Sequence, residues 1–168
     1  MNKLLRLGAA AIAVLALAAC DTGNTNTEST SAQHSHTESL TAGAKKVVMY
    51  KSPGCECCSK WAEHLKGAGF TVIEHKRDDM DAIKAEHGVT EKLASCHTAI
   101  VGGYVIEGHV PAADVERLLK EHPTNIVGLT APGMPMKSPG MQSVGQQPKG
   151  YDVLAFDKDG KSSVFTHY

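Results

Sequence analysis

The 168-residue sequence predicts one mixed α/β domain behind an export leader and a tether. Three observations carry that expectation. From residue 45 onward, short β-type apolar runs alternate with helical runs closed by glycine. A Gly102-Gly103 pair joins two of the β runs, as in a tight antiparallel hairpin. The apolar fraction of 42% is ordinary for a soluble fold, and the length left after a leader suits one core. Formal net charge is -1 with no block of like charges, so the footprint of a nucleic-acid binder is absent and nucleic acid is not an expected partner.

The elements follow in order. Residues 46–50 read as a short strand, 59–66 as a helix stopped by Gly67 and Gly69, and 70–74 as a second strand. Asp78-Asp79 are placed to cap a helix running to Glu86 and ended by Gly88, with Met80 and Ile83 toward the core and Ala82 and His87 as further candidates for that face. Residues 98–101 and 104–107 flank the Gly-Gly turn. Pro111 then opens a helix to Glu121, with Val115, Leu118 and Leu119 on one face. The order β-α-β-α-β-β-α resembles the thioredoxin fold. Residues 125–150 form a Gly/Pro/Met-rich loop, and 151–157 with 161–168 a hairpin around Lys158-Asp159-Gly160. The full expectation is a thioredoxin-like α/β fold with that loop and the C-terminal β-hairpin appended.

Residues 1–19 have the layout of a secretory signal, with Lys3 and Arg6, an apolar run from Leu7 to Leu17 and a small-residue end. The run is too short to span a membrane. Leu17-Ala18-Ala19-Cys20 resembles the bacterial lipobox, which makes Cys20 the lipidated first residue of the mature chain and removes it from the thiol count. Asp21 resembles the signal that retains lipoproteins in the inner membrane of enteric bacteria. The expected location is the bacterial periplasm, lipid-anchored to the inner membrane. Residues 20–44 are this lipidated N-terminus and a polar tether with too little apolar surface to fold, and 45–168 the folded domain. His34 and His36 on the tether are an incidental pair or an auxiliary metal site.

Cys55, Cys57 and Cys58 follow the first strand where a helix begins. Unpaired N–H groups and the helix dipole there favour thiolate over thiol. Cys55 and Cys58 alone have the CxxC spacing of a redox pair; Cys57 has no part in simple disulfide exchange. Three thiols in four residues point to metal, and soft thiolates select Cu(I), Zn(II) or iron–sulfur chemistry. Zinc favours four tetrahedral donors from separated pairs, whereas CxCC suits bridging thiolates and more than one Cu(I). Cys96, entering the third strand, is brought to the cluster by the expected fold. His97 is a ligand or a hydrogen-bonded structural residue, and His109 a ligand, a helix cap or a solvent-facing group. Met134, Met136 and Met141 on the Gly/Pro-rich loop offer thioethers or pack that loop. Trp61 reads as core, with shielding of the cluster as the alternative. Two disulfides stapling an exported domain form a further reading of the four thiols.

These residues together resemble the CopG-type family, periplasmic thioredoxin-like proteins long catalogued as a domain of unknown function and associated with bacterial copper resistance. The likeness spans residues 47–165. It rests on Pro53-Gly54-Cys55-Glu56-Cys57-Cys58 with Trp61, on Ser95-Cys96-His97-Thr98, on residues 103–111, and on Pro132-Gly133-Met134-Pro135 with Ser138-Pro139-Gly140-Met141. Thr90 stands where many members have proline, and the lipobox with its long tether is not a mark of every member. The resemblance implies copper as the bound metal through the cysteine cluster, and redox cycling of that copper as a further expectation. The expected role is copper resistance in the cell envelope, with copper ions, the membrane and other envelope copper-handling proteins as partners. A thiol–disulfide oxidoreductase using Cys55 and Cys58 is the alternative.

Overall fold

The computed structural model describes residues 45–168 apart from Val144. The expected signal, Cys20 with its lipid, the tether and the His34/His36 pair lie outside the described residues. Within them the chain runs β1 (Lys46–Lys51), α1 (Glu56–Gly67), β2 (Thr71–Lys76), α2 (Met80–Glu86), β3 (His97–Val101), β4 (Tyr104–Gly108), α3 (Ala112–Glu121), β5 (Gly128–Ala131), β6 (Asp152–Phe156) and β7 (Ser162–His167). All seven strands form one mixed sheet in the order β2-β1-β3-β4-β5-β6-β7. β1 is parallel to β2 and antiparallel to β3, and β3 and β4 form the expected hairpin.

Alternating side chains along β3 and β4 divide the interior into two layers. One holds Val47, Met49, Ala99, Val101, Ile106 and Leu129, against Trp61, Ala62 and Leu65 of α1 and Val115 and Leu118 of α3. The other holds Val89, Leu93, Val105 and Phe156, with Ile100 partly buried against them. Each such large apolar side chain contributes about 1.5–3 kcal/mol on burial, so both helices are held to the sheet chiefly by these stripes.

Three expectations are corrected. α1 starts at Glu56 rather than residue 59, because Cys58 is a small apolar residue that begins the stripe Cys58, Trp61, Ala62, Leu65. Cys55 is therefore the N-cap, and Cys57 and Cys58 lie in the first turn. Asp79 is the N-cap of α2 but makes no capping hydrogen bond; its carboxylate takes the Arg77 guanidinium at 2.6 and 2.8 Å instead. The C-terminal hairpin is not an appendage. β5, expected as loop, pairs parallel with β4 and antiparallel with β6, and so joins the hairpin to the central sheet. All four β5 residues are buried, so the strand has no alternation to read. Gly128 is required there, because a side chain would collide with the Val105 carbonyl.

Candidate metal centre

Sheet register brings the sulfur-bearing segments together. Lys51, the last residue of β1, pairs with His97, the first of β3, and Thr98 pairs with Glu107 near the end of β4. Gly108 pairs with Ala131, the last residue of β5. The loop to Cys55, the entry to β3 at Cys96, the exit of β4 at His109 and the chain leaving β5 therefore share one end of the sheet. At that end the sulfurs of Cys55, Cys57, Cys58 and Cys96 lie within 4.8 Å of one another. Cys96 also belongs to a second group with His97 and His109, equally close.

Cys55 and Cys58 are joined by a disulfide, while Cys57 and Cys96 are free. Cys55 and Cys57 sulfurs are 3.5 Å apart. Cys96 Sγ lies 2.9 Å from His109 Nε2 and 3.5 Å from His97 Nδ1. The Pro139 carbonyl can only accept, so His109 Nδ1 donates to it at 2.6 Å. That contact leaves Nε2 without a proton, its lone pair facing Cys96. His97 is fully buried and its Nε2 has no hydrogen-bond partner among the described residues. A buried polar atom of this kind is costly unless something is held against it.

Burial holds both imidazoles neutral, lowering His109 and, with the nearby His109, taking His97 well below its ordinary value. The Cys96 thiol is pushed up to about 12 by burial and by the neighbouring Cys57. Without metal Cys96 thus carries its proton, and a metal ion must displace it on binding. His64 is also lowered by burial; its Nε2 accepts the Ala112 N–H at 3.0 Å and so caps the start of α3. An unfolded chain protonates these three histidines near pH 6.5, and the folded chain only at lower pH. Between those values the unfolded state binds more protons, so stability falls as pH drops. Glu107, raised by burial, works in the opposite direction and offsets part of the slope. The metal-free protein is expected to have a lower urea midpoint at about pH 5.5 than at about pH 7.5; equal midpoints would contradict the histidine balance.

Further residues brace the cluster, among them Glu107, for which the sequence suggests no role in the site. Glu107, fully buried, accepts the Ser95 N–H at 2.6 Å and the Thr98 hydroxyl at 2.7 Å, and pairs with Lys84 of α2 at 2.5 Å. It thereby holds the backbone one residue before Cys96. The only sequence signal was a glutamate inside an otherwise apolar strand. Gly140, at φ +87°, lets the loop after β5 close on the site; a Cβ there would lie 2.7 Å from the Cys57 carbonyl and 3.2 Å from His109 Nδ1. Trp61 is core, as expected, yet its ring centroid also lies 4.4 Å from that of His97, and its Nε1–H donates to the Val110 carbonyl at 2.8 Å. Met134 is 56% exposed, next to Gly133, whose carbonyl accepts the Ser95 hydroxyl. Met136 is 72% exposed and Met141 partly buried after Gly140.

Residues 93–141, which carry Cys96, His97 and His109, match the model of a family described as a protein of unknown function, DUF411. No curated protein matches the chain. Two solved structures do, titled copper resistance protein CopG, forms 1 and 2. Each is 38% identical with a TM-score of 0.67, and the alignments cover 73% of this chain and 96% and 97% of theirs. At that identity and over nearly the whole length of those relatives, the chain belongs to the CopG-type copper-resistance family.

Proposed function

We propose that this protein binds copper in the cell envelope as part of copper resistance, holding Cu(I) in a multinuclear thiolate cluster. One observation carries the reading: a four-sulfur group and a Cys/His/His group share Cys96. A thiolate common to two donor sets is suited to bridging two ions, and soft sulfur favours Cu(I). The neutral buried imidazoles fit as nitrogen donors, His109 through Nε2 and His97 through Nδ1, the atoms that face Cys96. Mixed sulfur and nitrogen donors suit both Cu(I) and Cu(II), which supports redox cycling of the bound copper. Met134 and its neighbours extend the donor set toward solvent. The β2-β1-β3-β4 order, with β3 antiparallel to its neighbours, supports a thioredoxin-like core. The relatives' titles support the copper assignment. In this reading Cys20 anchors the protein by lipid to the periplasmic face of the inner membrane, near other copper-handling proteins.

Anaerobic Cu(I) titration of phosphine-reduced protein is expected to give more than one copper per chain, with uptake lost when Cys55, Cys57, Cys58 and Cys96 all become serine. Substoichiometric uptake, or uptake unchanged in that variant, removes the reading. The Cys55–Cys58 disulfide at a helix N-terminus supports the second reading, a thiol–disulfide oxidoreductase. That activity would persist in protein stripped of copper.

A further inference from the structure

The sulfurs of Cys55 and Cys58 stand in two roles that exclude each other. A sulfur within a disulfide is a poor ligand beside a thiolate, so the four-sulfur group accepts a soft ion only after the Cys55–Cys58 bond is reduced. The two sulfurs differ in access: Cys58 is fully buried, whereas Cys55 is partly exposed and lines a cavity of about 400 Å³, a size usual for small-molecule sites. Lys51, buried at the end of β1, donates to the Cys55 carbonyl at 3.1 Å and to Ser59 Oγ, and lies 3.3 Å from Glu74 Oε2. Lys76 and Glu56, both exposed, also line the cavity. Lys51 and Glu74 neutralise each other, and Glu74 also faces Lys66 at 3.6 Å. The charges left to a ligand are therefore one cation, Lys76, and one carboxylate, Glu56, a pair that matches a zwitterion better than a simple anion or an apolar molecule.

We propose that this cavity docks a small amino-acid thiol, which reduces the Cys55–Cys58 disulfide and so opens the metal site. The proposal rests on the copper reading only for what the reduced site then holds. The docked thiolate attacks Cys55 Sγ; the Cys55–Cys58 bond breaks and its electron pair leaves on Cys58 Sγ. Cys58 lies in the first turn of α1, where unpaired N–H groups and the helix dipole favour a departing thiolate. A second thiol attacks the outer sulfur of the mixed disulfide and frees Cys55. In sum, two small thiols become one disulfide, and their two protons and two electrons pass to Cys55 and Cys58.

Metal-free full-chain protein carrying the disulfide is mixed anaerobically with cysteine or with mercaptoethanol, whose thiolates carry the same net charge, at matched thiolate concentration, and protein thiols are counted with time. The cysteine rate is expected to saturate and the mercaptoethanol rate to rise linearly. Lys76→Glu is expected to slow cysteine about fivefold more than mercaptoethanol. Linear dependence for both thiols, or equal slowing of both in Lys76→Glu, overturns the docking site. Protein reduced by a phosphine, which needs no such site, is titrated with Cu(I) beside the disulfide form. Equal uptake by both forms overturns the gating role. Uptake after phosphine without thiol selectivity removes the docking site and leaves the copper reading; selectivity without uptake does the reverse.

Discussion

Cys57→Ser is expected to reduce the copper held per chain and to weaken what remains by at least about tenfold, while Cys55 and Cys58 still open and close their disulfide. Cys57 is free, its sulfur lies 3.5 Å from that of Cys55, and it belongs to the four-sulfur group with Cys96. Serine keeps the size and the helical first turn but replaces a soft donor with a hard one that stays protonated. Exchange needs only an attacked sulfur and a leaving sulfur, and neither is Cys57. Copper titration and disulfide-reduction kinetics on the same preparation separate the two activities. Unchanged copper stoichiometry would leave Cys57 without a role in the site and would favour the oxidoreductase reading.

Trp61→Ala is expected to cost about 3–5 kcal/mol of stability in the reduced, metal-free protein. Trp61 is fully buried between α1 and the sheet, among the largest side chains of the core. Its loss leaves a void, deprives the Val110 carbonyl of its N–H partner and removes the ring that packs on His97. Trp61→Phe keeps most of the volume without the N–H, so about 1–2 kcal/mol is expected for it. Urea unfolding of the three proteins measures both differences. A cost below about 1 kcal/mol for alanine would show that the helix does not depend on this contact.

Much of this arrangement is legible in the sequence. The first strand, the β3–β4 hairpin and α3 followed from apolar spacing and from punctuation by Gly and Pro. The sulfur set was legible because CxCC leaves an extra thiol that a redox pair does not use. Legibility failed where the cause was nonlocal. β5 lies between two other strands, so its four residues are buried on both faces and show no period. α1 begins three residues before its apolar spacing suggests, because Cys58 packs as a core residue while also presenting a sulfur to the site. Glu107 gave almost no signal, since its partners Lys84, Ser95 and Thr98 come from separate segments.

By itself, the sequence determined that the chain carries a thiol cluster at the start of a helix within an α/β domain. Spacing along the chain creates that crowding, and helix-terminal N–H groups come with the local backbone. Only the tertiary structure decided which distant donors join it. The β1–β3–β4 register puts Cys96 and His109 at the same sheet end as Cys55, and β5 returns the Pro139-Gly140 loop to hold His109 by its other nitrogen. Strand pairing and loop closure join residues far apart in the chain, and no local period records them.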